Sequence, residues 1–355
     1  MDLIVLFAAL IVILVGAELF TNGIEWFGRR LQLAEGAVGS VLAAVGTALP
    51  ETMIPIVAIL FSGEQDAASE AAAHGVGVGA ILGAPFMLAT LAMFVTGVAV
   101  VIQARHRAAR DLMPLNTEVL GKDVRYFFIA YGLAVGAAFI PPEADVLRIA
   151  VAVGLLVIYG IYVKEHFEAD PDVDAEDLAP LRFRGLDRHG LRVDPHTPRL
   201  RIVNFQVLAA LGLILVGAVF FVDAVEHLAE QFAVDPAILA LVIAPIATEL
   251  PEKFNSIIWV RQGKDTLAMG NITGAMVFQS CIPTIFALLF ASASWVIGPG
   301  SYVTFASAGI AFLATAVIFL PMMRRQALRG RTLLIGGVFY VAYLVLVALS
   351  VGGVV

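Results

Sequence analysis

Two short stretches, Gly46-Thr47-Ala48-Leu49-Pro50-Glu51 and Ala247-Thr248-Glu249-Leu250-Pro251-Glu252, set a carboxylate directly after a proline inside a long apolar run. An ionised side chain at the centre of a bilayer costs about 2.5–3.5 kcal/mol on insertion scales, so Glu51, Glu249 and Glu252 must face a cavity or a partner. The prolines add a second kind of oxygen. Proline has no amide hydrogen, so Pro50 withholds the helical bond from the carbonyl of Gly46, and Pro251 withholds it from that of Ala247. A carbonyl and a carboxylate side by side suit a hard cation such as Ca²⁺, which takes several oxygen ligands. Thr47 and Thr248 stand one helical turn before Glu51 and Glu252, on the same face. Two carboxylates carry the charge that balances one divalent ion. The plainer alternatives are an interhelical hydrogen bond from a protonated glutamate and a simple proline kink.

The elements that must position these groups are membrane helices. Only 14% of the 355 residues are charged, against about 25% in a soluble domain. Apolar runs long enough to span a bilayer recur along the whole chain. Ten spans are read, at roughly 3–24, 36–61, 76–102, 124–140, 145–163, 203–223, 236–260, 267–293, 302–321 and 332–351. Twenty of the 22 basic residues fall in alternate connections, or at their boundaries. The remaining connections, among them GEQDAASEAAAHG and EHLAEQFAVD, are neutral or acidic. By the positive-inside rule the basic loops are cytoplasmic and both termini lie outside. The two exceptions are Arg148, at an outer boundary, and Lys253, inside span seven. The first twenty residues lack a basic leader and read as a first membrane helix rather than a cleaved signal. The composition fits a prokaryotic inner membrane. No dense basic stripe with interleaved aromatics points to nucleic acid. Cys281 reads as a small core residue.

The halves repeat. ILVGAELF at 13–20 matches ILVGAVFF at 214–221, an offset of 201 residues. The same offset carries Leu49-Pro50-Glu51 onto Leu250-Pro251-Glu252 and Thr47 onto Thr248. Five spans per half is an odd number, so the second half enters from the opposite face. This is the inverted repeat of secondary transporters, which place their sites near the midplane between repeats. The expected fold is therefore all-α and polytopic, with ten transmembrane helices as two inverted five-helix repeats. The halves are 1–164 and 202–355, joined by a cytoplasmic linker at 165–201. The linker's Asp170, Asp172 and Asp174 resemble the start of a calcium loop, but Ala175 and Leu181 stand where an EF-hand needs Gly and Glu, so a solvated linker is expected.

Glycine-rich segments follow each carboxylate. Gly79-x-x-x-Gly83 and Gly270-x-x-x-Gly274 are small-xxx-small patterns that read first as packing. Asn271, Thr273 and Gln279 are polar at membrane depth and are candidates to line a path, as are Glu18 and Asn22 in span one. Glu249 and Lys253 stand at i and i+4, the order that favours a salt bridge. The chain lacks H-E-x-x-H, and no Ser/His or Asp pair has catalytic placement, so an enzyme is not expected.

These motifs resemble those of the calcium/cation antiporter superfamily, the sodium/calcium exchanger-type integral membrane proteins. There each of two repeats carries a G-T-S-L-P-E-like motif followed by a G-N-x-x-G-S-N-like segment. The resemblance implies alternating-access exchange of Ca²⁺ or a related cation for Na⁺ or H⁺, with no cofactor. Inorganic cations and the lipid bilayer are then the partners. It places the cation on Glu51 and Glu252 and on oxygens at Thr47 and Thr248. The second segment departs from the pattern. It reads GAILGAP at 79–85 and GNITGAM at 270–276, so its first Asn survives only as Asn271. The lost Ser and Asn groups help form flanking sodium sites in the family, which makes proton coupling a rival to sodium coupling. Lys253 is an addition, and its ammonium could replace a transported monovalent ion. A transport-inactive cation-binding or sensor protein of the same fold is the alternative function.

Overall fold

The computed structural model describes residues 2–30, 48–61, 67–169, 179–186, 198–232, 234–248, 256–257, 259–261, 263 and 265–351. Its helices are α1 (Asp2–Arg30), α2 (Leu49–Leu60), α3 (Ala67–Met87), α4 (Met93–Gln103), α5 (Thr117–Gly136), α6 (Asp145–Ala169), α7 (Leu200–Phe232), α8 (Pro236–Thr248), α9 (Asp265–Phe290), α10 (Tyr302–Arg325), α11 (Gly330–Leu333) and α12 (Ile335–Val351). A π-helical turn, Leu88–Ala92, runs α3 into α4. Among the described residues seven stretches are long and apolar enough to cross a membrane. The shorter α2 and α8 and the less apolar α5 fall in the other three expected spans, so each of the ten holds a helix. Spans two and seven are described in part.

Helical period sorts the apolar residues into two faces. On α1, Leu6, Leu10, Ile13 and Ala17 are buried while Ile4, Phe7, Ile11 and Val15 are exposed. On α12 the exposed stripe is Val338, Val341, Val345 and Leu349. Apolar stripes this long on helices this long are lipid-facing surface.

The inversion is visible in one helix pair. Gln231 donates to Asp2, and Gly23 lies against Val207. Numbers rise along α1 as they fall along α7, so the first helices of the two halves are antiparallel. Their contact is reciprocal. A Cβ on Gly16 would sit 2.7 Å from Ile214 Cγ1, and a Cβ on Gly217 would sit 2.7 Å from Ile13 Cγ1. Both pairs are related by the 201-residue offset of the sequence repeat.

Loops assigned to one face by charge touch one another. Arg107, after α4, binds Asp265 at the start of α9. A two-residue antiparallel ladder, β1 (Leu112–Met113) with β2 (Leu328–Arg329), joins the connection after α4 to the one after α10. No strand was expected there. On the opposite face, Arg148 at the start of α6 binds carbonyls of Ser292 and Trp295, beyond α9.

The linker differs from expectation over 179–186, which is docked rather than solvated. Leu181 is buried with Trp26 and Val203. Asn22 donates to the Ala179 carbonyl and accepts from the Arg182 amide, at 3.2 and 3.0 Å. Glu18 pairs with Arg182 at 2.5 Å. Glu18 and Asn22 therefore hold the linker rather than line a path; their partners lie more than 150 residues away, beyond any local pattern. The acidic run at 170–178 lies outside the described residues.

Candidate cation site

The centre of the molecule is built from α2, α3, α8 and α9. Helix α3 packs along α8, and α2 packs against α3, α8 and α9. Each motif-bearing helix thus meets the glycine-rich helix of the other half. The α3–α8 approach is close because Gly79 has no side chain. A Cβ there would overlap the Ala237 carbonyl. Gly75 also faces Ala237, at 3.7 Å for an added Cβ. The packing reading of the glycines holds for Gly79, whereas among the described residues nothing lies within 4 Å of a Cβ built on Gly270.

Glu51 is buried, 4% exposed, in the first turn of α2. The positive end of the helix dipole favours a carboxylate there. Just after it, the Thr52 hydroxyl donates back to the Ala48 carbonyl at 2.8 Å, tightening the entry to the helix. A simple kink at Pro50, the plainer alternative, is not what α2 shows. Because α2 begins at Leu49, Pro50 occupies the first turn, where a missing amide hydrogen breaks no helical bond. The proline that matters is Pro55, inside α2. It has no amide hydrogen to offer the carbonyl of Glu51, four residues back. Backbone oxygen and carboxylate thus belong to the same residue. The spacing Glu51-x-x-x-Pro55 carried that signal in the sequence.

In the second motif, α8 includes Ala247 and ends at Thr248. Gly46, Thr47, Glu249, Glu252 and Lys253 lie outside the described residues. Asn271 is half-buried in α9, and its amide nitrogen has no hydrogen-bond partner among the described residues. Two turns further, Gln279 is fully buried with neither amide atom paired among the described residues. Pro283 also has no amide hydrogen for the Gln279 carbonyl. Unpaired polar groups on the helix that packs against α2 make α9 the polar wall of the centre. Among the described residues no three His, Cys, Asp or Glu side chains gather to hold a metal.

Sequence reasoning passed over Asp123. It is fully buried in α5. Its carboxylate accepts from the Thr273 hydroxyl at 2.6 Å and from the Tyr162 hydroxyl at 3.1 Å. Lys122 and Arg125 beside it suggested a loop boundary. Yet Leu120, Val124, Phe127 and Tyr131, all buried, place Asp123 on the inward stripe of a helix.

The fold and this centre define a class, a polytopic helical transporter with inverted repeats and an intramembrane carboxylate. The chain belongs to the sodium/calcium exchanger protein family, matching it over residues 1–164 and 204–352. It is therefore an integral membrane transporter and not an enzyme. It is 26% identical over 342 residues, 94% of each chain, to the putative antiporter CaxA of Alkalimonas amylolytica. It is 33% identical over 97 residues, 27% of this chain and 30% of the relative, to the inner membrane protein YrbG of Escherichia coli strain K12. Its fold is similar to that of the H⁺/Ca²⁺ exchanger CAX, with a TM-score of 0.73 at 16% identity over 99% of this chain and 85% of that one. The sodium-calcium exchanger NCX_Mj is also similar, with a TM-score of 0.56 at 15% identity over 97% of each chain.

Proposed function

We propose that this protein is a secondary antiporter that exchanges Ca²⁺, or a related cation, for Na⁺ or H⁺ by alternating access. The cation is held at the midplane between Glu51 and Glu252. Thr47 and Thr248, the carbonyls of Gly46 and Ala247, and Glu249 and Asn271 complete the oxygen set. The observation that carries this reading is Glu51, a buried carboxylate in the first turn of a half-length helix packed against both glycine-rich helices. A carboxylate in that place has no role in lipid and a clear one toward a cation. The antiporter relative and the family match support it. In this reading the protein lies in a prokaryotic inner membrane, with the linker cytoplasmic and both termini outside.

The test is calcium uptake into proteoliposomes under a sodium gradient alone, then under a proton gradient alone. One gradient should drive uptake, and Glu51→Gln and Glu252→Gln should each abolish it while the protein elutes as a folded monodisperse species. Uptake that survives both substitutions overturns the reading. Lys253 is assigned the role of a tethered monovalent charge. Lys253→Met should change the coupling ratio or the ion preference, and unaltered coupling would remove that role.

A further inference from the structure

Outside the Glu51 centre, one buried carboxyl has hydrogen-bond partners that could serve it in two protonation states. Asp123 is fully buried and joins three helices, its oxygens meeting Tyr162 of α6 and Thr273 of α9. Thr273 has a single hydroxyl proton and two acceptors in reach, Asp123 at 2.6 Å and the carbonyl of Met269 at 3.1 Å. When Asp123 is ionised, Thr273 donates to it and so does Tyr162. When Asp123 is protonated, the carboxylic acid donates to the Thr273 oxygen, and Thr273 turns its proton to Met269. The Met269 carbonyl keeps its own helical position in both cases. Every polar atom is therefore satisfied in either state, which a buried group that must never change charge does not require.

The surroundings fit proton traffic rather than a fixed ion pair. From α6, Tyr162 bonds Asp123, and His166 stacks on Tyr162 with ring centroids 5.5 Å apart. His166 is half-buried, near the basic face, and within electrostatic reach of Asp123. On α5 itself, the Tyr126 ring lies edge-on to Tyr162, and Lys122 pairs outward with Glu118. Helix α9 contributes Thr273; its other titratable groups are Asp265, bound to Arg107, and Cys281, two turns further on. On α10, also packed on α5, the titratable groups are Tyr302, Arg324 and Arg325, at its two ends. Among the described residues no lysine or arginine pairs with Asp123, and the basic side chain within electrostatic reach of it is His166.

We propose that Asp123 is a proton-binding site, separate from the glutamate centre, whose protonation switches the Thr273 hydroxyl and so sets how α9 is held against α5. Proton binding at Asp123 stands by itself. Its effect on transport rests on the antiporter reading above.

The first measurement is infrared difference spectroscopy of the purified full-length protein during a pH titration. A protonated-carboxyl band should rise on acidification, persist in Glu51→Gln, and be lost in Asp123→Asn. Thr273→Val, which removes the switching hydroxyl without removing the acid, should shift that band's frequency and titration midpoint. A spectrum in which no titrating band responds to either Asp123→Asn or Thr273→Val overturns the proposal, even if calcium flux is normal. The second measurement is the pH profile of calcium flux in proteoliposomes. Thr273→Val and Asp123→Asn should flatten it, whereas a purely structural Asp123 would scale the flux and leave the profile's shape unchanged. Absence of calcium flux in the wild type would defeat the antiporter reading while leaving the infrared result to decide Asp123.

Discussion

Arg107 grips Asp265 with both arms of its guanidinium, under cover. One arm bonds Asp265 Oδ1 at 2.8 Å, the second bonds Oδ2, and the first also reaches the Val260 carbonyl at 2.7 Å. The side chains are only 6% and 0% exposed. The pair fastens the connection after α4, in the first half, to the first turn of α9, in the second.

Removing one partner of a buried pair strands the other charge. Arg107→Ala is expected to cost about 3–5 kcal/mol of stability, whereas replacing both residues by apolar ones of similar volume should cost far less. Thermal unfolding of the single and double variants in detergent measures this, and equal losses in all of them would contradict it.

Arg148 is buried without touching a carboxylate among the described hydrogen bonds. Its guanidinium instead donates to four carbonyls, those of Ile140, Pro141, Ser292 and Trp295. A lysine keeps the charge but presents a single point with three donors. Arg148→Lys should therefore destabilise by about 1–3 kcal/mol through carbonyls left unpaired. Hydrogen exchange should localise the loosening to 140–148 and 292–297.

Gly79 and Gly270 look alike in sequence and differ in space. A methyl on Gly79 meets backbone, the Ala237 carbonyl, which cannot swing aside as a side chain would. Gly79→Ala should push α3 from α8 and destabilise by about 1–3 kcal/mol. Among the described residues nothing meets a methyl on Gly270, so Gly270→Ala should be neutral or stabilising. Unfolding midpoints of the two variants make the comparison.

Asn22 makes three hydrogen bonds, to the Ala179 carbonyl, the Arg182 amide and the Gln206 side chain. Asn22→Leu should release 179–186 from α1 and α7, seen as faster amide exchange there with little change elsewhere. Unchanged exchange would show that the Leu181 packing, the Glu18–Arg182 pair and the hydrogen bonds from Trp26 and to Gln206 hold the segment without Asn22.

The spans were legible in the sequence because lipid demands about 20 apolar residues per crossing. Their pairing across faces was legible because charge marks the loops. Other features were not. A proline before a glutamate looks the same in sequence whether it kinks a helix or starts one. Asp123 hid among Lys122 and Arg125, although its spacing from Leu120 and Phe127 would have turned it inward. The docking of Asn22 onto Ala179 depends on tertiary placement that no window of sequence contains.

Gly16 and Gly217 have a consequence for how the halves recognise each other. Each of α1 and α7 carries both a notch, the glycine, and a knob, the isoleucine three residues earlier, and each knob fills the other helix's notch. A surface that meshes with its own inverted copy is the defining property of a two-fold interface between identical subunits. Here that isologous contact is written into a single polypeptide, so each half supplies the mould in which the other is seated.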